Sequence, residues 1–153
     1  MGRYFIDTEF DGFNGELISI ALVPEQAGHP YFYAITDHVA TNPWVVEHVV
    51  PFLVGEGHRP HRGNRVRIAQ LLTGYLAGDT HPRIVADWPE DLTHLTRLLI
   101  TGPGMMVPIR HMSFEYHDYP EFSTAKASAI PHNALEDARS FREYVLSKED
   151  WNG

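Results

Sequence analysis

Arg3-Tyr4-Phe5-Ile6-Asp7-Thr8-Glu9-Phe10-Asp11-Gly12 decides the reading of this chain. Residues 3–9 have the aromatic and β-branched content of a β-strand, closed by a turn signal at Asp11-Gly12. Side chains alternate along a strand, so Phe5, Asp7 and Glu9 share one face while Tyr4, Ile6 and Thr8 share the other. Two carboxylates two residues apart on one face, beside Phe5, are costly. At ~4–6 Å and an effective dielectric near ~20, they repel by roughly 3–4 kcal/mol. A hard divalent cation, Mg²⁺ or Mn²⁺, turns that repulsion into attraction through the carboxylate oxygens. A Glu9 already in solvent at the strand end would leave only Asp7 to explain, and this pair alone leaves the two readings even.

The rest of the composition narrows the classes. A chain of 153 residues is of single-domain length and long enough for a sizeable core. It has no apolar run of membrane-spanning length, and its charged, strand-like start does not read as a signal peptide. There are no cysteines, which excludes disulfides, thiol catalysis and zinc–thiolate sites and fits a cytoplasmic protein. A formal net charge of −8 argues against indiscriminate coating of nucleic acid. It does not exclude a nuclease, whose metal-binding carboxylates themselves make a chain acidic. Against that background, His58-Arg59-Pro60-His61-Arg62-Gly63-Asn64-Arg65-Val66-Arg67 holds four arginines and no acid. It reads either as a track for a phosphate backbone or as a solvated loop or subunit contact.

Taken in order, Gly15–Val23 reads as a second strand stopped by Pro24, joined to the first by a tight antiparallel hairpin. Tyr31–Ile35 reads as a third. Asn42 then caps a helix with Pro43 at its first position, which Pro51 should distort or end. Asn64 opens a second helix carrying Val66, Ala69, Leu72 and Leu76, stopped at Ala77-Gly78. Arg83–Asp87 is a short buried-type strand. Pro89 starts a helix carrying Leu92, Leu95, Leu98, Leu99 and Ile100, and Met105–Ile109 reads as a fifth strand. Residues 110–131 read as loop with a short helix around Thr124–Ala127, and the final helix as Asn133–Leu146. The order implies an α/β fold: a mixed five-stranded sheet flanked by helices, in a single domain.

Two of the helices carry acids on their core-facing stripes. Ala134, Ala138, Phe141 and Val145 recur at helical spacing, and Asp137 falls on the same stripe. A lone carboxylate facing a core costs several kcal/mol unless it is paired or coordinated. His132 stands just before this helix, where it could face the same pocket. Asp91 shares a stripe with Leu95, Leu98 and Leu99, although a first-turn acid also favours the helix dipole. Asp87, at the end of the preceding strand, can reach the same end of the sheet. Three elements each with an acid on the buried side are most simply explained by one shared metal site.

Asp7-Thr8-Glu9, Asp91 in Asp87-Trp88-Pro89-Glu90-Asp91-Leu92, and His132-Asn133-Ala134-Leu135-Glu136-Asp137-Ala138 together resemble the three motifs of the DEDDh 3′→5′ exonucleases, an RNase H-like superfamily. The third fits the pattern His-x-Ala-x-x-Asp-Ala. The ordered set covers nearly the whole chain, and Asn42-Pro43-Trp44-Val45 and Ala86-Asp87-Trp88-Pro89 look most like the small bacterial RNase AS-type exoribonucleases. One departure stands out: many relatives carry Asn where this chain has Asp87. That leaves Asp91 as the ligand by stripe and spacing, with Asp87 as a supporting residue.

The resemblance implies an RNase H-like fold and a metal-dependent exonuclease acting on the 3′ end of single-stranded RNA. Asp7, Glu9, Asp91 and Asp137 would hold two Mg²⁺ or Mn²⁺ ions, with Asp7 bridging, and His132 would be the general base. Phe10 and Trp88 are the favoured base-stacking residues among Phe10, Phe13, Trp88, Phe114 and Tyr116. A homodimer and a preference for adenylate-containing RNA are also implied. A DNA exonuclease, an endonuclease of the same superfamily and a non-catalytic RNA-binding module stay open as alternatives. Because a general base must act neutral, the rate in Mg²⁺ is expected to rise with pH as an imidazole deprotonates. A flat profile between about pH 6 and pH 9 would remove His132 from that role.

Overall fold

In the computed structural model, which describes residues 1–152, Arg3–Phe10 forms strand β1 near the middle of a mixed sheet. Leu17–Pro24 (β2) pairs antiparallel with it and Phe32–Thr36 (β3) pairs antiparallel with β2. Arg83–Ala86 (β5) lies parallel on the other side of β1, with Ser113–Tyr116 (β8) parallel beyond it. His61–Gly63 (β4) adds a short parallel edge to β3. The order is β4-β3-β2-β1-β5-β8, six strands in which β2 alone runs against the rest.

The alternation expected for β1 divides the core in two. Phe5 packs with Val85, Phe141 and Val145 under the long helix Ala134–Asn152 (α5), which also covers Ala21, Tyr33 and Ile35 through Ala134, Leu135 and Ala138. Ile6 faces the other way, with Ile20, Leu22, Phe32 and Ile84, against helices Arg65–Leu76 (α2) and Pro89–Leu98 (α3). Burial of each such large apolar side chain contributes about 1.5–3 kcal/mol before chain entropy is counted. The sheet is covered on both faces. No described helix is long and apolar enough to cross a membrane.

Several element assignments change, among them the helix from Pro89, which ends at Leu98 and leaves Ile100 to open a short strand. The sheet has six strands rather than five. Met105–Ile109 is not one of them: only Met105–Met106 (β7) is extended, in a separate two-stranded hairpin with Ile100–Gly102 (β6). The Gly102-Pro103-Gly104 turn folds this segment back on the end of α3, where Val107 N–H bonds the Leu99 carbonyl at 2.9 Å. The place next to β5 is taken by β8, inside the segment read as loop. Finally, α5 runs six residues past Leu146, to Asn152. Its extension is polar and has no apolar stripe, but Glu149 pairs there with Arg3 and Lys148 with Glu121.

The first helix behaves as its sequence dictates. Asn42 Oδ1 accepts the Trp44 and Val45 N–H groups at the head of Pro43–His48 (α1), and Pro51 falls in a 3₁₀ turn, Val50–Phe52, that ends it. Asn133 joins this region to α5. It is fully buried, its Oδ1 accepts Glu136 N–H at 3.0 Å, and its amide donates to the Phe52 and Leu53 carbonyls at 2.8 and 3.2 Å. Asn133→Ala removes a cap and leaves two carbonyls with one donor fewer. It is expected to cost about 2–3 kcal/mol in a urea unfolding experiment, and a loss under about 0.5 kcal/mol would deny the residue this role.

Candidate metal centre

The β1–β5 ladder ends at the Phe5–Val85 pair, while β1 runs on to Phe10. Its free edge is met by a side chain instead of a strand. Asp91, in the first turn of α3, accepts Thr8 N–H at 3.1 Å and Thr8 Oγ1–H at 2.6 Å, both on Oδ1. The carboxylate is buried, and its Oδ2 has no protein donor among the described residues. Asp87 follows the last residue of β5 at the same end of the sheet.

From the other face, α5 brings Asp137 to β1. Its Oδ2 accepts His132 N–H at 3.2 Å, and its Oδ1 is out of solvent with no partner. Asp7 Oδ2 is orphaned in the same way. The acids fall into two trios: oxygens of Asp7, Asp87 and Asp91 lie within 4.8 Å of one another, and so do those of Asp7, Glu9 and Asp137. Asp7 belongs to both. All five sequence-identified acids are therefore brought together.

Such a set cannot carry its full charge in a protein interior without compensation. Burial pushes the Asp7 carboxyl well above its ordinary value, and the charges of Asp91, Glu9, Asp137 and Asp87 push it further. Burial raises Glu9 to about 8, reinforced by Asp137 and Asp91. It raises Asp91 to about 8 against the opposing bonds from Thr8, and Asp137 to about 7 against the nearby Ser128 hydroxyl and the His132 N–H. Asp87 is raised too, chiefly by burial. Orphaned buried oxygens, five clustered carboxylates and no basic side chain among them fit a pair of hard divalent cations.

His132 completes the group by backbone geometry. It is one of two non-glycine residues with positive φ, at 66°, a conformation that costs an ordinary residue about 1–2 kcal/mol but that histidine adopts more readily. The kink lets Asp137 bond the His132 N–H. The half-buried ring stands edge-on to Trp44, with centroids 5.1 Å apart, and makes no hydrogen bond among the described residues.

A groove of about 450 Å³ adjoins Glu9, lined by Phe10, Gly12, Phe13, Asn42, Trp44, Val45, Val49 and Glu90. Phe10 stacks on the buried His94 ring at 4.6 Å, so one face of the phenyl group is already used. Phe13 is almost fully exposed and Trp88 about half. Trp88 Nε1–H donates to Glu90 at 3.2 Å on the same rim. Phe114 and Tyr116, by contrast, lie on the edge strand β8.

The wall of this groove depends on Asp11, which the sequence marked only as a turn residue. Its carboxylate accepts N–H groups of Thr41 and Asn42, both at 2.9 Å, and Nε2–H of His38 at 2.8 Å. The His38 bond and these amides hold its carboxyl down to about 2. The β1–β2 turn is thereby tied to the start of α1. Gly12 has φ of 78°, and a Cβ there would stand 2.6 Å from Asn42 Nδ2, so this turn requires glycine. Neither Trp44 nor His94 was singled out for the site from sequence. His94 was accessible, lying on the Asp91–Leu95–Leu98 stripe, whereas the Asp11 tether has no local signature.

No family model matches this chain, and comparison with curated proteins finds no match.

The metal-free acids are more protonated folded than unfolded, so their contribution to stability is full below about pH 4 and falls as pH rises toward 8. Melting in EDTA is expected to show this decline, with Mn²⁺ raising the melting temperature most at the alkaline end. Asp7→Asn should gain about 1–2 kcal/mol in EDTA at pH 8 and lose the response to Mn²⁺. A metal response retained by that variant would move the ion away from this cluster.

Proposed function

We propose that this chain is a metal-dependent 3′→5′ exoribonuclease of the DEDDh type with an RNase H-like fold. The observation that carries the reading is the pair of carboxylate trios sharing Asp7, with His132 at their margin. Asp7, Glu9, Asp91 and Asp137 would hold two Mg²⁺ or Mn²⁺ ions. Bound there, the ions would neutralise charge at the scissile phosphate and make water easier to deprotonate. Asp87, within one trio, would steady that end of the cluster or meet the terminal sugar.

The remaining roles belong to this chain's own side chains. A ring nitrogen of His132 takes the proton of the attacking water, since no other protein group claims the ring. Phe10, Trp44 and Phe13 offer apolar surface beside Glu9 for the terminal base, and Trp88 offers it next to Glu90 on the rim of the same groove. Base–aromatic stacking is worth about 1–3 kcal/mol per base and tolerates any base. The polarity, the choice of RNA over DNA and an adenylate preference rest on the motif resemblance. Its strongest support in the fold is that the acids of all three motifs meet at one end of β1.

The test is a 5′-labelled single-stranded RNA and its DNA equivalent, each with an adenylate tail, in Mg²⁺, Mn²⁺ or EDTA. A metal-dependent ladder shortening from the 3′ end of RNA is expected. Asp137→Ala and Asp91→Asn should each reduce the rate by at least about 10²-fold. Asp87→Asn should cost about tenfold, as a supporting residue does. Faster shortening of DNA would overturn the substrate assignment, cleavage of circular RNA the exonuclease assignment, and RNA binding without cleavage the enzymatic one.

A further inference from the structure

The cations of this chain are not spread evenly. Arg3, Arg83, Arg139, Arg142 and Lys148 each pair with a carboxylate, and Arg65 stands 3.9 Å from Glu16. Among the described residues, Arg59, Arg62, Arg67, Arg97, Arg110 and Lys126 make no ion pair, and the first three fall together, on β4 or within two to four residues of it. β4 is the exposed edge of the sheet, and Arg59, Arg62, Arg65 and Arg67 are all exposed. The stem of Arg67 lies across the end of this strand: a Cβ on Gly63 would come within 2.9 Å of its Cγ. Arg62 and Arg67 thus flank one short stretch of edge. The nearby acids are Glu16, loosely paired with Arg65, and Asp37, whose N–H bonds the Gly63 carbonyl.

Strand register fixes where this edge lies relative to the acids. Arg62 pairs with Ile35, Ile35 with Ser19, and Ser19 with Glu9, one row across the sheet. Residues in such a row project from the same face, three strand spacings or about 14 Å apart. β4 also runs parallel to β1 through β3. Its carboxyl end, where Arg62, Arg65 and Arg67 sit, is therefore at the same end of the sheet as the carboxylates. A polyanion whose terminus reaches Glu9 needs neutralisation along its length, and the acid cluster repels it.

We propose that Arg62 and Arg67, with Arg59 and Arg65 beside them, bind the phosphate backbone of the substrate a few nucleotides upstream of the 3′ end. The inference rests on the exonuclease reading above and extends it from the cleaved bond to the body of the strand. Phosphates bound this way release counterions, so affinity falls with salt by a slope of about 0.7 for each phosphate neutralised on a single strand.

The experiment compares kcat/KM on a dinucleotide and on a single-stranded RNA of about 12 nucleotides, over a salt series. Wild type, Arg62→Glu/Arg67→Glu, Arg62→Lys/Arg67→Lys and Arg110→Glu are assayed. Arg110 is also unpaired but precedes β8, at the opposite end of the sheet. The glutamate pair is expected to raise KM for the longer RNA about tenfold at low salt and to flatten its salt slope by about 1.4. The lysine pair should restore most of the affinity, which a merely misfolded variant would not do, and Arg110→Glu should act as wild type. Dinucleotide hydrolysis by wild type tests the underlying reading separately: its absence would sink that reading. Hydrolysis with no length-dependent change in the glutamate pair would sink the basic edge alone. An unchanged KM accompanied by a change in sedimentation mass would make the edge a subunit contact and overturn the proposal.

Discussion

β1 outlasts its neighbour. Because β5 turns away after Val85, the last half of β1 has an unpaired edge in the middle of the sheet, where an unbonded N–H is expensive. Asp91 satisfies that edge through Thr8, and in doing so is drawn within reach of Asp7. On the opposite face α5 packs Phe141 and Val145 against Phe5, which sets Asp137 one helical turn further along, over Asp7 and Glu9. The carboxylate cluster follows from an early-ending ladder between two covered faces. Hydrogen bonding and apolar packing, which fix the fold, also impose a charge repulsion that a bound cation would relieve.

Much of this was legible in periodicity. The two-residue alternation of β1 and the helical stripes of α3 and α5 placed Asp7, Glu9, Asp91 and Asp137 on buried sides before any tertiary contact was known, because an acid on an apolar stripe is the exception. Asn42 and Asn64 announced the starts of α1 and α2 through capping chemistry, which is local. Of the strands that sequence missed, β4 and β8 are three and four residues long on sheet edges, and many of their side chains are exposed. An edge strand exists because a neighbour offers hydrogen bonds, and nothing in its own pattern need record that. Met105–Ile109 failed for the opposite reason. It is apolar enough for a strand, but the turn before it points it at α3.

The supporting contacts were invisible for the same physical reason as β4 and β8. Asp11 looks like any turn aspartate, yet it gathers the amides that hold the Trp44 wall in place. The Asp7/Glu9 pair left its own meaning undecided. The fold leaves both half-buried beside Asp137, where burial and the neighbouring acids push both carboxyls above their ordinary values. In the sequence, Asp87 and Asp91 are separated by the α3 stripe and by spacing. The fold instead puts both beside Asp7 and distinguishes them by hydrogen bonding: Asp91 is fixed by Thr8, whereas no side-chain donor fixes Asp87.

The placement of His132 shows how a chemically free ring can still be held. No hydrogen bond reaches its nitrogens, so its position is set through the backbone. Asp137 holds its N–H, and Asn133 locks the next residue to the Phe52 and Leu53 carbonyls. One turn on, Glu136 accepts Nε2–H of His58 at 2.7 Å. The His58 tautomer is fixed in turn by Gly55 N–H, which donates to Nδ1. Residues 132–137 are therefore tied to the 52–58 segment by three hydrogen bonds. The general base proposed at His132 would need its ring nitrogen unencumbered but its ring located, and the anchored flanking backbone suits both needs. Glu136 and Asn133 then bear on the acids and His132 through position alone.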